Sequence, residues 1–201
     1  MASYDLDKLI NGILAELLPR QKDIIRLRYG IKSGEPMTLA AIGDTYHITR
    51  ERVRQIEAQA LQNVAKQFKG SVFNDFRQVV ANYLSKFNGV RRHEQLCTDL
   101  KVHPNKMYFL LEASGAARFH PTDEEVHGFW SLSDADFRKA TNAIDQLAWA
   151  LKNKQKGAHE SHKDPATANY VSISKKFTFG PYGTFGLAEW RDINPKVSRD
   201  W

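Results

Sequence analysis

Of the seven long polar side chains between residues 50 and 59 of this sequence, six form one candidate binding cluster. These six are Arg50, Glu51, Arg52, Arg54, Gln55 and Gln59. In a DNA groove, arginine pairs with guanine, glutamine pairs with adenine, and glutamate accepts a hydrogen bond from the amino group of cytosine. The chemistry that these side chains offer is therefore hydrogen bonding to the edges of bases.

A helical repeat predicts how these side chains are presented. At about 100° per residue, Glu51 and Gln55 lie opposite an apolar stripe, and the arginines flank them. Thr49 is expected to cap this helix, and Glu51 suits the positive end of its dipole. A recognition helix presents its N-terminal residues to the groove, which is where the polar cluster lies. The apolar stripe consists of Val53, Ile56, Ala60, Leu61, Val64 and Phe68.

A shorter helix is predicted immediately before. Its start at Thr38 suits both an N-cap and a phosphate contact. Gly43 within it costs about 1 kcal/mol relative to alanine, a cost that close approach by another helix would explain. The segment His47-Ile48-Thr49 then predicts a tight turn in which His47 takes a positive φ. Two helices joined in this way predict a helix-turn-helix that binds DNA. The apolar face of the shorter helix is Leu39, Ile42 and Tyr46.

The string Thr49–Leu61, TRERVRQIEAQAL, resembles region four of the primary sigma factors of bacterial RNA polymerase. Residues 18–31 resemble the helical half that precedes the helix-turn-helix of that region, so the resemblance runs from residue 17 to residue 68. It implies recognition of the −35 promoter element and docking on the flap of the β subunit of the polymerase core. By the same resemblance, bases are contacted by Arg50, Glu51 and Gln55, and the DNA backbone by Arg52, Arg54 and Arg28.

Other parts of the sequence depart from a sigma factor. No aromatic-rich helical domain of the kind that melts the −10 element is recognisable before residue 17 or after residue 70. We therefore do not expect this chain to open promoters alone. A second and shorter resemblance covers Gly183–Asp200, which is similar to the linker before a winged-helix domain of the kind found in the delta subunit of bacterial RNA polymerase.

The composition agrees with a DNA-binding protein. The 201 residues carry a net charge of +6. Residues 20–69 hold ten basic and five acidic residues, so most of the excess falls in the helix-turn-helix segment, as phosphate contact requires. The single cysteine, Cys97, excludes an internal disulfide and favours a reducing, cytoplasmic location. The sequence shows no signal peptide and no apolar run of membrane-spanning length.

The periodicity predicts a mostly α protein with several parts. The predicted order is a helix-turn-helix domain, a winged-helix-like domain with an extra C-terminal helix, a linker, and an aromatic β-hairpin followed by the start of a helix. The hairpin must pack on other parts, because an isolated hairpin is marginal. The predicted bounds are 1–69, 70–155, 156–168 and 169–201.

Functions other than DNA reading are also compatible with this sequence. The sigma-like domain could bind the polymerase and compete with a true sigma factor, with little DNA contact. For the winged-helix-like domain we favour a role in protein docking or packing. The competing interpretation is a second DNA-binding surface. Neither an enzyme nor a cofactor is expected. The candidate residues for a second DNA-binding surface are Arg91, Arg92 and Lys101. Those for catalysis are His120, Asp123, Glu124, Glu125 and His127, and those for a metal are His159, His162 and Asp164. Trp149 is expected to be a packed residue at the rim of the winged-helix-like domain.

Overall fold

The computed structural model describes residues 6–32, 34–67, 74–153, 160–161, 164–180 and 184–190. Over these ranges the chain forms nine helices and six short strands, which confirms the mostly α fold. None of the helices in the described ranges combines the length and the apolar character needed to cross a membrane. The fold divides into two compact units, Met1–Val80 with Cys97–Ala116, and Ala81–Leu96 with Ala117–Trp201.

Four helices open the first unit. Pro19 occupies the first turn of the second of them, where its missing N–H has no helical partner to lose. Ile24, Ile42 and Val53 come from three different helices, are fully buried, and form the shared core. The predicted helix-turn-helix therefore rests on a real apolar core. The four helices are α1 (Leu6–Ala15), α2 (Pro19–Arg28), α3 (Leu39–Tyr46) and α4 (Arg50–Gln67).

A helix from further along the chain completes the first unit. This helix, α7 (Pro104–Ser114), lies against α4. The ring of Phe109 is fully buried and meets the ring of Tyr29 edge-on, with 5.2 Å between the centroids. Lys106 Nζ lies 2.6 Å from a carboxylate oxygen of Asp7. Because α7 packs here, the compact unit does not follow the domain boundary predicted at residues 69 and 70.

The elements after the first four helices follow the predicted winged-helix order. Three short strands within it form an antiparallel sheet in the order β1-β3-β2. Strand β1 is missed by the sequence analysis, because three residues are too few for a periodic pattern and its hydrogen bonds come from β3, far along the chain. The elements in order are α5 (Asn74–Ser85), β1 (Val90–Arg92), α6 (His93–Leu100), α7, β2 (Arg118–His120) and β3 (Phe129–Ser131).

The remaining elements belong to the second unit. The predicted aromatic hairpin is present, with Phe179 opposite Phe185. Phe185 and Leu187 are buried in a core with Ile144 and Val171, so the hairpin packs within its own unit. A two-residue strand adds to it, giving a sheet in the order β4-β6-β5. The elements are α8 (Asp134–Asn153), β4 (Glu160–Ser161), α9 (Pro165–Ile173), β5 (Phe177–Phe179) and β6 (Thr184–Leu187).

Two predicted segments need correction. The predicted hairpin segment 169–201 opens with the end of helix α9 and not with a strand, and the predicted linker 156–168 contains β4 and the start of α9. The carboxylate of Asp164 caps α9 by accepting from the backbone N–H groups of Ala166 and Thr167. Residues 169–173 are all buried, so no exposed face remains to mark the helical period. The helix start predicted near Asn194 lies outside the described residues.

The contact between α7 and the first unit can be tested by Phe109→Ala. Removing this fully buried ring should lower the free energy of unfolding by about 3–5 kcal/mol, because burial is lost and a cavity remains. Urea unfolding followed by far-ultraviolet circular dichroism measures the change. Glu112→Ala, at an exposed position of the same helix, is the control and should change stability by less than about 0.5 kcal/mol. Equal effects of the two substitutions would contradict the packing described here.

Candidate nucleic-acid interface

Helices α3 and α4 form the predicted helix-turn-helix. The side-chain oxygen of Thr38 accepts a hydrogen bond from Ala41 N at 3.2 Å and caps α3. Helix α3 ends at Tyr46, and His47 caps it. His47 takes the left-handed conformation with φ 52° and ψ 44°, so the prediction of a positive φ at this position is confirmed. Thr49 Oγ1 accepts from Arg52 N at 3.1 Å and caps α4, as predicted. Both helix starts and the turn between them are therefore determined locally.

Gly43 is required by the turn. A Cβ atom at this position would lie 2.7 Å from the carbonyl oxygen of Ile48 and 3.5 Å from Arg50 N. The same residues are joined by a hydrogen bond from Ile48 N to Gly43 O at 3.0 Å. The close approach thus comes from the turn and from the first residue of the next helix, α4.

The start of α4 presents its polar side chains to solvent. Val53 and Ile56 face the core, with exposures of 0% and 8%. Because side chains on one helix repeat every 3.6 residues, the burial of these two directs the polar positions outward. All six predicted groups on this helix are exposed, namely Arg50, Glu51, Arg52, Arg54, Gln55 and Gln59.

Hydrogen bonds along the helix organise part of this face. Arg54 Nη2 donates to Glu51 Oε1 at 2.7 Å, and Arg54 Nε donates to Glu51 Oε2 at 2.9 Å. The hydrogen bonds from Arg54 hold the pKa of Glu51 below its ordinary value, and the same contact raises the pKa of Arg54. Arg52 Nη1 donates to Gln55 Oε1 at 3.2 Å. The face therefore offers a paired Glu51 and Arg54, a paired Arg52 and Gln55, and the guanidinium of Arg50.

Two further residues were predicted to contact the DNA backbone. The hydroxyl oxygen of Thr38 is used as the α3 cap, so a phosphate at this helix start would meet backbone N–H groups. The guanidinium of Arg28 is bound within the unit. Arg28 Nε donates to Glu57 Oε1 at 3.2 Å, and Arg28 Nη1 donates to Met37 O at 3.1 Å. The structure thus gives Arg28 an internal role that joins α2, α4 and the segment before α3.

The contacts of Glu57 and Arg20 are missed by the sequence analysis. The side chain of Glu57 is only 14% exposed and binds Arg28. The guanidinium carbon of Arg20 lies 5.7 Å from the centroid of the Tyr46 ring, within the range of a cation–π contact. Both contacts join residues that are distant along the chain, so a single sequence carries no signal for them.

Two of the three residues of the predicted second DNA-binding surface, Arg91 and Arg92, make contacts within the protein. Arg91 Nε donates to Tyr83 Oη at 3.2 Å, and the Arg91 guanidinium carbon lies 3.9 Å from the centroid of the Phe87 ring. Arg92 Nη2 donates to Glu94 Oε2 at 2.6 Å. Lys101 is exposed. Together with the packing of α7, these contacts favour the predicted packing role of the winged-helix-like domain over a second DNA-binding surface.

The acidic cluster considered for catalysis is a hydrogen-bonded turn. Asp123 Oδ1 accepts from the backbone N–H groups of Glu125 and Val126, each at 2.8 Å. These hydrogen bonds lower the pKa of the Asp123 carboxyl group. His120 Nε2 lies 2.9 Å from Ser131 Oγ, in the sheet. Within the described ranges, no group of three His, Cys, Asp or Glu side chains has a metal-binding arrangement; residues 159 and 162 lie outside those ranges.

The requirement for glycine in the turn gives a second prediction. Gly43→Ala should lower the free energy of unfolding by about 1–3 kcal/mol, because the new methyl group would press on a backbone oxygen that cannot move freely. Gly12→Ala is the matched control within α1, where a Cβ atom meets nothing within 4 Å. That substitution should raise stability by about 0.5–1 kcal/mol, because alanine favours a helix interior. Urea midpoints that move in the same direction for both variants would disprove the turn requirement.

Comparisons with known proteins agree with this geometry. Residues 13–66 match the family Sigma-70, region 4. The chain is 42% identical over 67 residues to the RNA polymerase sigma factor SigA1 of Synechococcus elongatus, which covers 33% of this chain and 17% of that protein. It is 43% identical over 72 residues to the sigma factor SigA of Nostoc sp., covering 36% of this chain and 17% of that protein.

The chain thus spans about one sixth of the length of these relatives, since the matched region is 17% of each. The match falls on α1 to α4, the segment that holds the helix-turn-helix. The sequence resemblance is therefore confirmed, since residues 13–66 match the family Sigma-70, region 4.

Proposed function

We propose that this protein is a sequence-specific DNA-binding transcription factor that binds the −35 element of promoters together with RNA polymerase. The observation that supports this most directly is the exposed polar start of α4 on a segment that matches sigma-70 region 4. In the proposed complex α4 enters the major groove by its N-terminal end. The partner is double-stranded promoter DNA, and no catalytic step is involved.

Each side chain on the exposed face has a proposed role. Arg50 makes no hydrogen bond or ion pair with another described residue, so its guanidinium is available for a bidentate contact to guanine. Gln55 contacts adenine, and Glu51 accepts from a cytosine amino group. Arg52 and Arg54 lie at the edge of this set and bind phosphates, with Gln59 one turn further along α4.

The polymerase partner is proposed from the family match. The relatives carry the name RNA polymerase sigma factor. By resemblance, the region-four-like segment docks on the flap of the polymerase β subunit. The alternative is a regulator that binds polymerase and competes with a true sigma factor, with little DNA reading. Such a protein would have no use for an exposed set of base-reading side chains.

Two substitutions separate base reading from phosphate binding. Arg50→Ala should cost about 1–3 kcal/mol at the preferred site and relax specificity at one base pair, because a bidentate base contact is lost. Arg52→Ala should instead weaken binding to all duplexes equally and reduce the slope of log affinity against log salt by about one unit. Fluorescence anisotropy with a TTGACA-containing duplex and a scrambled duplex, at several salt concentrations, measures both effects.

The matched control is Lys66→Ala, a cation in the last turn of the same helix and far from its N-terminal end. This variant should bind both duplexes as the unmodified protein does. An Arg50→Ala protein that keeps the original ratio of affinities for the two duplexes would refute base reading by this residue. Capture of core polymerase without DNA, combined with no enriched hexamer from a random DNA pool, would support the competitor instead.

A further inference from the structure

Trp149 is an exposed aromatic side chain on the second unit, where the sequence analysis expected a packed one. It lies on α8, where Ile144 and Leu151 are buried and Phe137 and Leu147 are partly buried. The side chain of Trp149 is 71% exposed. A tryptophan offers a large rigid surface at low entropic cost, and such side chains are enriched where proteins bind partners.

Trp149 borders a groove of about 490 Å³. One wall is α8, and the other is made by Lys175 and Lys176 before β5 and by the residues that end and follow β6. The floor is apolar, because Ala148 and Leu187 are buried at 9% and 3% exposure. The volume and the apolar floor suit one large apolar side chain together with a few neighbouring residues of an extended segment.

The charges in the groove are only partly compensated. Lys176 Nζ lies 3.0 Å from an Asp145 carboxylate oxygen and 3.1 Å from a Glu125 carboxylate oxygen, so this lysine is neutralised. Lys175 Nζ donates to the main-chain oxygen of Asp123 and forms no ion pair with a carboxylate of the described residues, although its charge helps to lower the pKa of the Asp123 carboxyl group. Lys152 also lines the groove and forms no ion pair with another described residue. Lys152 and Lys175 thus remain to attract negative charge, offset in part by Glu189, which also lines the groove.

Two kinds of partner could place negative charge beside a tryptophan. Single-stranded nucleic acid stacks its bases on aromatic rings, but it needs a groove with a clear excess of cations along its backbone. Here Asp145 and Glu189 also line the groove, so its three lysines give only a small excess. A polypeptide with one apolar side chain and a few carboxylates matches this pattern better, because it meets two cations and avoids a row of phosphates.

We propose that this groove is a docking site for an acidic segment of a partner protein, which inserts a large apolar side chain against Trp149 and places carboxylates on Lys152 and Lys175. The site lies wholly in the second unit and uses none of the residues assigned to DNA. The groove and the proposed DNA-binding face therefore share no residue. The inference does not depend on the proposed function of α4.

The test selects peptides from a random library displayed on phage against the full chain. Enriched peptides should share an aromatic or large aliphatic residue next to Asp or Glu. A synthetic copy of the enriched peptide should bind Trp149→Ala at least about 30-fold more weakly, the size of an aromatic hot spot. Leu18→Ala, which removes an exposed apolar side chain of the other unit, is the control and should bind as the unmodified chain does.

Charge is tested with a matched pair on one helix. Lys152→Glu should weaken peptide binding about tenfold or more and remove most of its salt dependence, whereas Lys139→Glu, at an exposed position of α8 outside the groove, should not. Circular dichroism confirms that each variant is folded. The proposal is overturned if no acidic peptide is enriched, if Trp149→Ala binds unchanged, if a single-stranded oligonucleotide binds through Trp149 instead, or if Trp149→Ala abolishes self-association of the chain.

Discussion

The rotation of α4 about its own axis is the constraint on which the candidate interface depends. Val53 and Val64 are fully buried and Ile56 is 8% exposed, so one stripe of the helix is held in the core. Each such side chain contributes about 1.5–3 kcal/mol through burial, and a rotated helix would lose several of these contributions at once. Because the period of the helix is fixed, holding this stripe inward also holds Arg50 and Glu51 outward. The same contacts give the unit its stability and present its polar face.

Helix α7 makes this constraint stronger. It lies against α4 and buries Phe109 beside Tyr29, where desolvation, followed by the nearby charge of Glu57, raises the pKa of the Tyr29 hydroxyl. In the element order of the chain, α7 is the third helix of the winged-helix-like part, for which the sequence analysis weighed a second DNA-binding role. Here that helix supports the helix-turn-helix instead. A helix with few cations, engaged in packing, leaves α4 as the better candidate for base reading.

Local chemistry explains which parts of this structure were predictable. The caps Thr38 and Thr49 and the left-handed His47 are determined by residues within four positions, so the sequence indicates them directly. The prediction of a strand in place of the end of α9 was wrong because residues 169–173 are buried on every side and lack helical periodicity. The contact of Arg28 with Glu57, and the exposure of Trp149, depend on which distant elements meet, and one sequence does not report that. Thus the polar cluster was predictable, whereas its internal partners were not.

The paired charges on the exposed face bear on how the proposed DNA reading would be selective. Glu51 is held as a carboxylate by Arg54, so the face carries a fixed negative charge between its cations. A carboxylate near the DNA backbone is repelled by phosphates, and at a base edge it loses hydration unless a donor such as the cytosine amino group is present. DNA with the wrong base would therefore bind less well than it would to a face of arginines alone. Specificity then arises from a penalty on incorrect sites as well as from attraction to the correct one.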